Sequence, residues 1–214
     1  MGRILIATLG FSMDFILKRV YDREMPTVGE VEILALWTDE GSWGRIIDAY
    51  NLLRMTLDKA GVRSRLRKIT FSNRIVGDLR KELLEIALEN PEAEIELFLT
   101  GGPRMLVIAT LLAAISLRED IVKRVTVTAY GENFPGTLNT RLYQILVLSR
   151  LDKKSELILH AIAKGITDSS RLMEEVKMPK SSFYLKIAEL DELGLIKKEG
   201  RGRVGLQEGV DNVI

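Results

Sequence analysis

The chain has no cysteine, one histidine and two glutamines among its 214 residues. Without thiols it can form neither a disulfide nor a thiolate metal site. The lone His160 sits inside a helical pattern with no ligand cluster around it, so neither a metal nor a catalytic imidazole is expected. Charge of one sign is also missing: 31 basic residues face 30 acidic ones, so any nucleic-acid surface must be local. Long apolar runs are absent too. The longest, Met105 to Leu117, contains Thr110 and Ser116 and is too short to span a bilayer, while the amino terminus runs directly into a strand pattern. These features lead us to expect a cytoplasmic protein with no membrane partner. With 29% charged residues and few thermolabile ones, the composition leans toward thermophily.

What is present is an alternation of strand-like and helix-like segments. Arg3 to Leu9, Val31 to Trp37, Ser64 to Thr70, Glu94 to Thr100 and Arg124 to Tyr130 read as strands. Between them lie helical patterns at Asp14 to Arg23, Gly44 to Lys59, Ile75 to Asn90 and Met105 to Leu117. This is the signature of an α/β fold with a doubly wound, mainly parallel, Rossmann-like sheet, and a strand order 3-2-1-4-5 would set the ends of the first and fourth strands side by side. A sixth strand, Arg141 to Leu148, follows too closely for a helical crossover and is expected to be antiparallel.

The loops after those two strands carry suitable chemistry for a phosphorylated ligand. After the first come Gly10, Phe11 and Ser12, where the glycine permits a tight turn and the serine offers a hydroxyl. After the fourth come Thr100, Gly101, Gly102, Pro103, Arg104 and Met105. There the glycine pair allows close backbone approach, Pro103 suits a first helical turn, and Arg104 can pair with phosphate. Thr38, Asp39, Ser42 and Trp43 follow the second strand and add hydroxyls and an aromatic face. The same residues are also consistent with an ordinary strand-to-helix turn and a surface arginine.

A different unit is expected from Asp152 to Ile214, leaving residues 1–151 as the first domain. Ser155 can cap a helix to Lys164 whose apolar stripe is Leu157, Ile158, Ala161 and Ile162. Ser169 to Val176 makes a second helix, and Lys180 to Leu193 a third after the turn Lys177-Met178-Pro179. A hairpin follows, Leu195 to Lys198 against Val204 to Leu206, with Arg201 and Arg203 at its glycine-rich tip. This is the plan of a winged helix-turn-helix. Eight lysines and three arginines here balance eleven carboxylates, so placement rather than total charge favours DNA. The candidate contacts are Ser169, Ser170, Lys180, Ser181, Ser182, Tyr184, Lys186, Arg201 and Arg203, with Lys197 and Lys198 nearby. A winged helix used only for dimerisation has the same plan. The run Gly200 to Gly205 satisfies G-x-G-x-x-G, but no helix follows it and no βαβ unit contains it.

The loop at Gly10-Phe11-Ser12, the motif Thr100-Gly101-Gly102-Pro103-Arg104-Met105 and the helix-turn-helix that follows resemble the CRISPR-associated Rossmann fold (CARF) family, in particular its archaeal transcription regulators. The resemblance implies a homodimer whose CARF domains share one pocket for a cyclic oligoadenylate, most often cyclic tetra-adenylate, as a regulatory ligand rather than a cofactor. Gly10, Phe11, Ser12, Thr100, Gly101, Gly102, Arg104 and Met105 match the family's ligand motifs. It further implies regulation of antiviral-defence promoters through double-stranded DNA, without enzymatic activity. Some CARF domains cleave their ligand slowly, so a ring nuclease is one alternative, and a ligand-free dimerisation scaffold is another.

Overall fold

The structure, a computed structural model, describes residues 2–131, 135–200, 202–211 and 214. It divides into two compact units, Met1–Asn139 and Thr140–Ile214. In chain order the sheet elements and their helices are β1 (Arg3–Leu9), α1 (Asp14–Val20), β2 (Glu30–Trp37), α2 (Glu40–Lys59), β3 (Arg63–Thr70), α3 (Ile75–Glu89), β4 (Glu94–Phe98), α4 (Arg104–Ile115), α5 (Glu119–Val122), β5 (Val125–Tyr130) and β6 (Thr137–Arg141). The sheet order is β3-β2-β1-β4-β5-β6, with β1 parallel to both β2 and β4, β2 parallel to β3, and β4 parallel to β5.

The inner strands β1, β2 and β4 bury residues on both faces, and apart from Thr8, Glu32 and Glu96 those buried residues are apolar. Leu5, Ala7 and Leu9 of β1 join Val31, Ile33 and Ala35 of β2 in a core closed by Ile16 of α1 and Ile46, Leu53 and Leu57 of α2. The alternate residues Ile4, Ile6 and Leu34 are equally buried and point the other way. That side is covered by α3 and α4, which pack on each other and bury Leu79, Leu83, Ile86, Leu106, Ala109 and Ala113. Each fully buried leucine or isoleucine contributes about 1.5–3 kcal/mol.

Two ionic clusters interrupt this apolar packing. Arg19, Glu96 and Arg3 meet inside the sheet: Arg19 Nε and Nη2 donate to the two carboxylate oxygens of Glu96 at 2.6 and 2.5 Å, and Arg3 Nη1 adds a contact at 3.2 Å. Arg19 and Glu96 side chains are both 0% exposed. On the outermost strand, Arg67 contacts Glu32 of β2 and Glu82, Glu85 and Glu89 of α3, so that the β3–α3 seam is ionic.

The second unit comprises α6 (Leu142–Leu148), α7 (Lys153–Ala163), α8 (Ser169–Glu175), α9 (Lys180–Glu192) and an antiparallel pair, β7 (Ile196–Lys198) with β8 (Val204–Leu206). Its core gathers Val147, Ile158, Leu159, Ile162, Leu172, Phe183, Ile187, Leu190, Leu195 and Val204. The hairpin is extended by a bridge between Asp168 and Arg203, and Ser169 N donates to Gly202 O.

Three expectations are corrected here. The sixth strand is not Arg141 to Leu148: β6 ends at Arg141 and the following residues form α6. An outermost strand has one wet face, which suits Thr137-Leu138-Asn139-Thr140-Arg141. Leu142 to Leu148 has one amide among seven residues, and as an edge strand it would expose apolar side chains on alternate positions. The division between units accordingly falls after Asn139 rather than after Leu151, and α6 belongs to the second unit, where Gln144 Nε2 donates to the carbonyls of Gly194 and Glu208. Finally, α7 is capped by Asp152, not Ser155: the Asp152 carboxylate accepts from Ser155 N at 2.8 Å, Ser155 is buried, and Leu157 of the expected apolar stripe is 45% exposed.

Asp152 also accepts from Lys186 Nζ of α9 at 2.7 Å. The Lys186 ammonium first, and then the Ser155 amide, hold its carboxyl down at about 2, against an ordinary 3.8. The stability this gives is complete above the unfolded value and disappears as pH falls from about 4 to about 2. Asp152 is half exposed, so screening holds the ion pair to under about 1 kcal/mol. Melting the full chain from pH 5 to pH 2 should show Asp152→Asn with a shallower acid loss than the parent. Identical acid profiles would remove Asp152 from the acid response.

Candidate functional site

The loops β1–α1 and β4–α4 leave neighbouring parallel strands on either side of the point where the strand order reverses, which is where open α/β sheets hold ligands. Backbone contact sets their spacing. A Cβ on Gly10 would lie 3.2 Å from Gly102 Cα, and Gly102 itself has φ +78 with Thr8 Cβ 3.2 Å from where its own Cβ would be. Two side-chain bonds pin the second loop: Thr8 Oγ1 donates to Gly101 O at 2.7 Å, and Thr100 Oγ1 accepts from Tyr130 N at 2.6 Å. Thr100 is 4% exposed and therefore positions the loop instead of facing a ligand.

Between these loops and the start of α2 lies a cavity of about 590 Å³. Phe15, Leu36 and Ile46 give it apolar walls, Ser12, Thr38 and Ser42 supply hydroxyls, and Gly10, Gly101 and Gly102 present bare backbone. Pro103 offers no side-chain cap to α4, so the first amides of that helix remain available. Of the expected ligand residues, the cavity brings together Gly10, Phe11, Ser12, Thr38, Gly101 and Gly102. Arg104 and Met105 are exposed at the start of α4 and do not line it.

Asp39 is the N-cap of α2, which begins at Glu40 rather than Gly44. Its carboxylate accepts from Ser42 N at 2.9 Å, Ser42 Oγ at 2.8 Å and Thr38 Oγ1 at 2.9 Å. These bonds, the Ser42 amide first, hold its carboxyl below the usual range. Asp39 thus orients two of the three hydroxyls of the cavity wall, those of Thr38 and Ser42. Sequence reasoning missed two cations here: Arg45, whose guanidinium lies 4.2 Å from the Phe11 ring centroid, and Lys68, held 4.6 and 5.1 Å from the rings of Trp37 and Trp43. Neither lies in a glycine-bearing loop, so no motif marked them.

In the second unit, Phe183, Ile187 and Leu190 anchor α9 and leave Lys180, Ser181 and Tyr184 exposed, with Ser182 half-buried. Asp168 caps α8 by accepting from the amides of Ser170 and Arg171; Ser170 is exposed and Ser169 is buried. Lys186 is already engaged by Asp152 and Glu189, Lys197 by Glu199, and Lys198 by Asp191. Arg203 is exposed, and Arg201 lies outside the described residues. An open cleft of about 1150 Å³ runs past Asp168, Arg171, Glu174, Lys177 and Arg203, which adds Arg171 and Lys177 to the basic groups of this face. Among the described residues, no cluster of acidic or histidine side chains is placed to hold a metal ion, and no helix is long and apolar enough to cross a membrane.

Residues 3–137, essentially the first unit, match the family of Csa3 CRISPR-associated Rossmann-like domains. The chain belongs to that family. Its fold is shared with Csm6 of Enterococcus italicus, a structure bound to cyclic hexa-2'-fluoro-hexa-dAMP: TM-score 0.52 at 11% identity, over 90% of this chain and 53% of that one. Can2 of Sulfobacillus thermosulfidooxidans, in complex with cyclic tetra-adenylate, aligns over 99% of this chain and 61% of its own, with TM-score 0.37 and 10% identity. This Csa3-family chain therefore spans about half the length of the Csm6 chain. No curated protein matches it.

Proposed function

We propose that this protein is a homodimeric transcription regulator, acting in the cytoplasm, in which two first units share one cyclic oligoadenylate, most readily the four-membered ring. The second units would meet double-stranded promoter DNA as winged helix-turn-helix modules. The observation that carries the reading is the cavity at the strand-order reversal, in a chain of the CRISPR-associated Rossmann-like family. Apolar walls suit a base, while hydroxyls and free amides suit a phosphate. A cavity of about 590 Å³ is small for a ring of four nucleotides, which argues for two copies around one ligand. The surface of α4 fits that arrangement. Met105, Ile108 and Leu112 form an exposed apolar stripe beside the Gly101-Gly102 loop, and a second copy packed there would bring two such loops together across a twofold axis.

Binding is favoured over cleavage because no carboxylate, imidazole or lysine among the described residues lines the cavity. For DNA, the exposed Lys180, Ser181 and Tyr184 of α9 would face the major groove, and Arg203 with Arg171 and Lys177 would meet phosphates.

Native mass spectrometry with cyclic tetra- and hexa-adenylate tests the first half. We expect one ring per two chains and no linear product within minutes; rapid linear product would instead indicate a ring nuclease, and no binding a dimerisation scaffold. For the second half, promoter affinity should fall steeply with salt and change by about 1–3 kcal/mol when the ring saturates the protein. Unchanged operator affinity and footprint would sink the allosteric reading.

A further inference from the structure

The cavity is walled by uncharged residues, yet a cyclic oligonucleotide brings one negative charge with every phosphate. Arg104, the cation expected from the motif, and Arg45 of α2 are both exposed and outside the lining, but Arg45 stacks on a lining residue, Phe11. We propose that Arg45, stacked on the lining residue Phe11, is the phosphate-binding cation of this site. This rests on the functional reading above and assigns that ligand's charge to a particular side chain.

The placement supports it in three ways. Arg45 lies on α2 three residues after Ser42 and one before Ile46, both of which line the cavity. Its guanidinium carbon is 4.2 Å from the centroid of the Phe11 ring, and Phe11 is itself a lining residue. No ion pair engages Arg45 among the described residues, whereas Arg54, further along the same helix, pairs with Asp58. A guanidinium resting only on an exposed ring is held weakly, and a phosphate offering two parallel charge-assisted hydrogen bonds outcompetes that contact. Phe11 is 59% exposed, so its second face stays open for a base to stack on. The ring holds the arginine beside a lining residue of the cavity, and the arginine then passes from ring to phosphate.

Calorimetric titration of the full chain with cyclic tetra-adenylate, at two salt concentrations, tests the assignment. Arg45→Ala should bind at least tenfold more weakly, with a shallower dependence on salt. Arg45→Lys should keep the salt dependence but lose part of the affinity, because an ammonium cannot form the paired bonds. Arg54→Ala removes an equal charge from the same helix away from the cavity and should bind like the parent. Arg45 is exposed, so unchanged melting of the variants will show that folding is intact. If the parent binds and Arg45→Ala stays within twofold of it, the assignment is wrong while the functional reading stands. If the parent binds no cyclic oligoadenylate, both fall.

Discussion

Replacing Arg19 by leucine should lower the unfolding free energy of this protein by about 3–5 kcal/mol, the largest loss expected of any single substitution here. Glu96 is fully buried in the sheet, and Arg19 satisfies both of its oxygens through two parallel hydrogen bonds. Without Arg19 only Arg3 remains beside the carboxylate, at 3.2 Å, and an under-compensated charge is left in a low-dielectric interior. The same substitution leaves the carbonyl of Pro26 without the Arg19 Nη2 donor. The double change Arg19→Leu/Glu96→Leu removes both charges and should recover most of the loss, since a buried pair is costly to break yet replaceable as a unit. Urea unfolding of the three proteins checks this. A loss under about 1 kcal/mol in the single variant would mean that Arg3 alone compensates the carboxylate.

Gly102→Ala should be the most damaging small change at the cavity. Its φ of +78 is a conformation that alanine adopts only at a cost of about 1 kcal/mol. In addition, a methyl group would meet the Thr8 side chain at 3.2 Å and the Thr8 and Leu9 carbonyl carbons at 3.3 and 3.4 Å. The β4–α4 loop must move, and Gly10, packed on Gly102, must move with it. We expect about 1–3 kcal/mol of lost stability and a fall in cyclic oligoadenylate affinity of roughly a hundredfold, the order associated with displacing positioned groups by about 1 Å. Gly101→Ala separates the two causes: φ there is +101, but the nearest atom to an added Cβ is Thr8 O at an ordinary 3.7 Å. Equal effects of the two variants on affinity would show that backbone conformation, and not the Gly10–Gly102 contact, sets the loop spacing.

The strands that could be read from the sequence were those whose burial leaves a periodic mark. β1, β2 and β4 are buried on both faces and mostly apolar, and they stand between helical patterns, so their alternation followed from pattern, whereas the order of the first five strands was an assumption taken from dinucleotide-binding folds that the structure matches. Leu142 to Leu148 defeated the same logic. Seven apolar-rich residues fit a strand or a buried helix equally well, and only the packing of Val147 and the hydrogen bonds of Gln144 in the second unit decide between them. At the cavity, glycines announced the loops because bare backbone is rare at a strand end. Asp39 as a helix cap, Thr100 as an internal pin and Arg45 on its ring depend on contacts between segments distant in sequence or on the exact helix start. Lys186 shows the same limit, since its charge is visible in the sequence and its engagement with Asp152 is not.

The outermost strand β3 carries Arg63, Arg65 and Arg67 on one side, and the exposed Lys68 follows on the other. A strand with one unpaired edge offers its amides and carbonyls to any other extended chain. The exposed Arg63 and Arg65 on that strand would have to be stripped of water before two such edges could join. The exposed arginines of β3 therefore double as a hindrance to strand addition at this edge of the sheet.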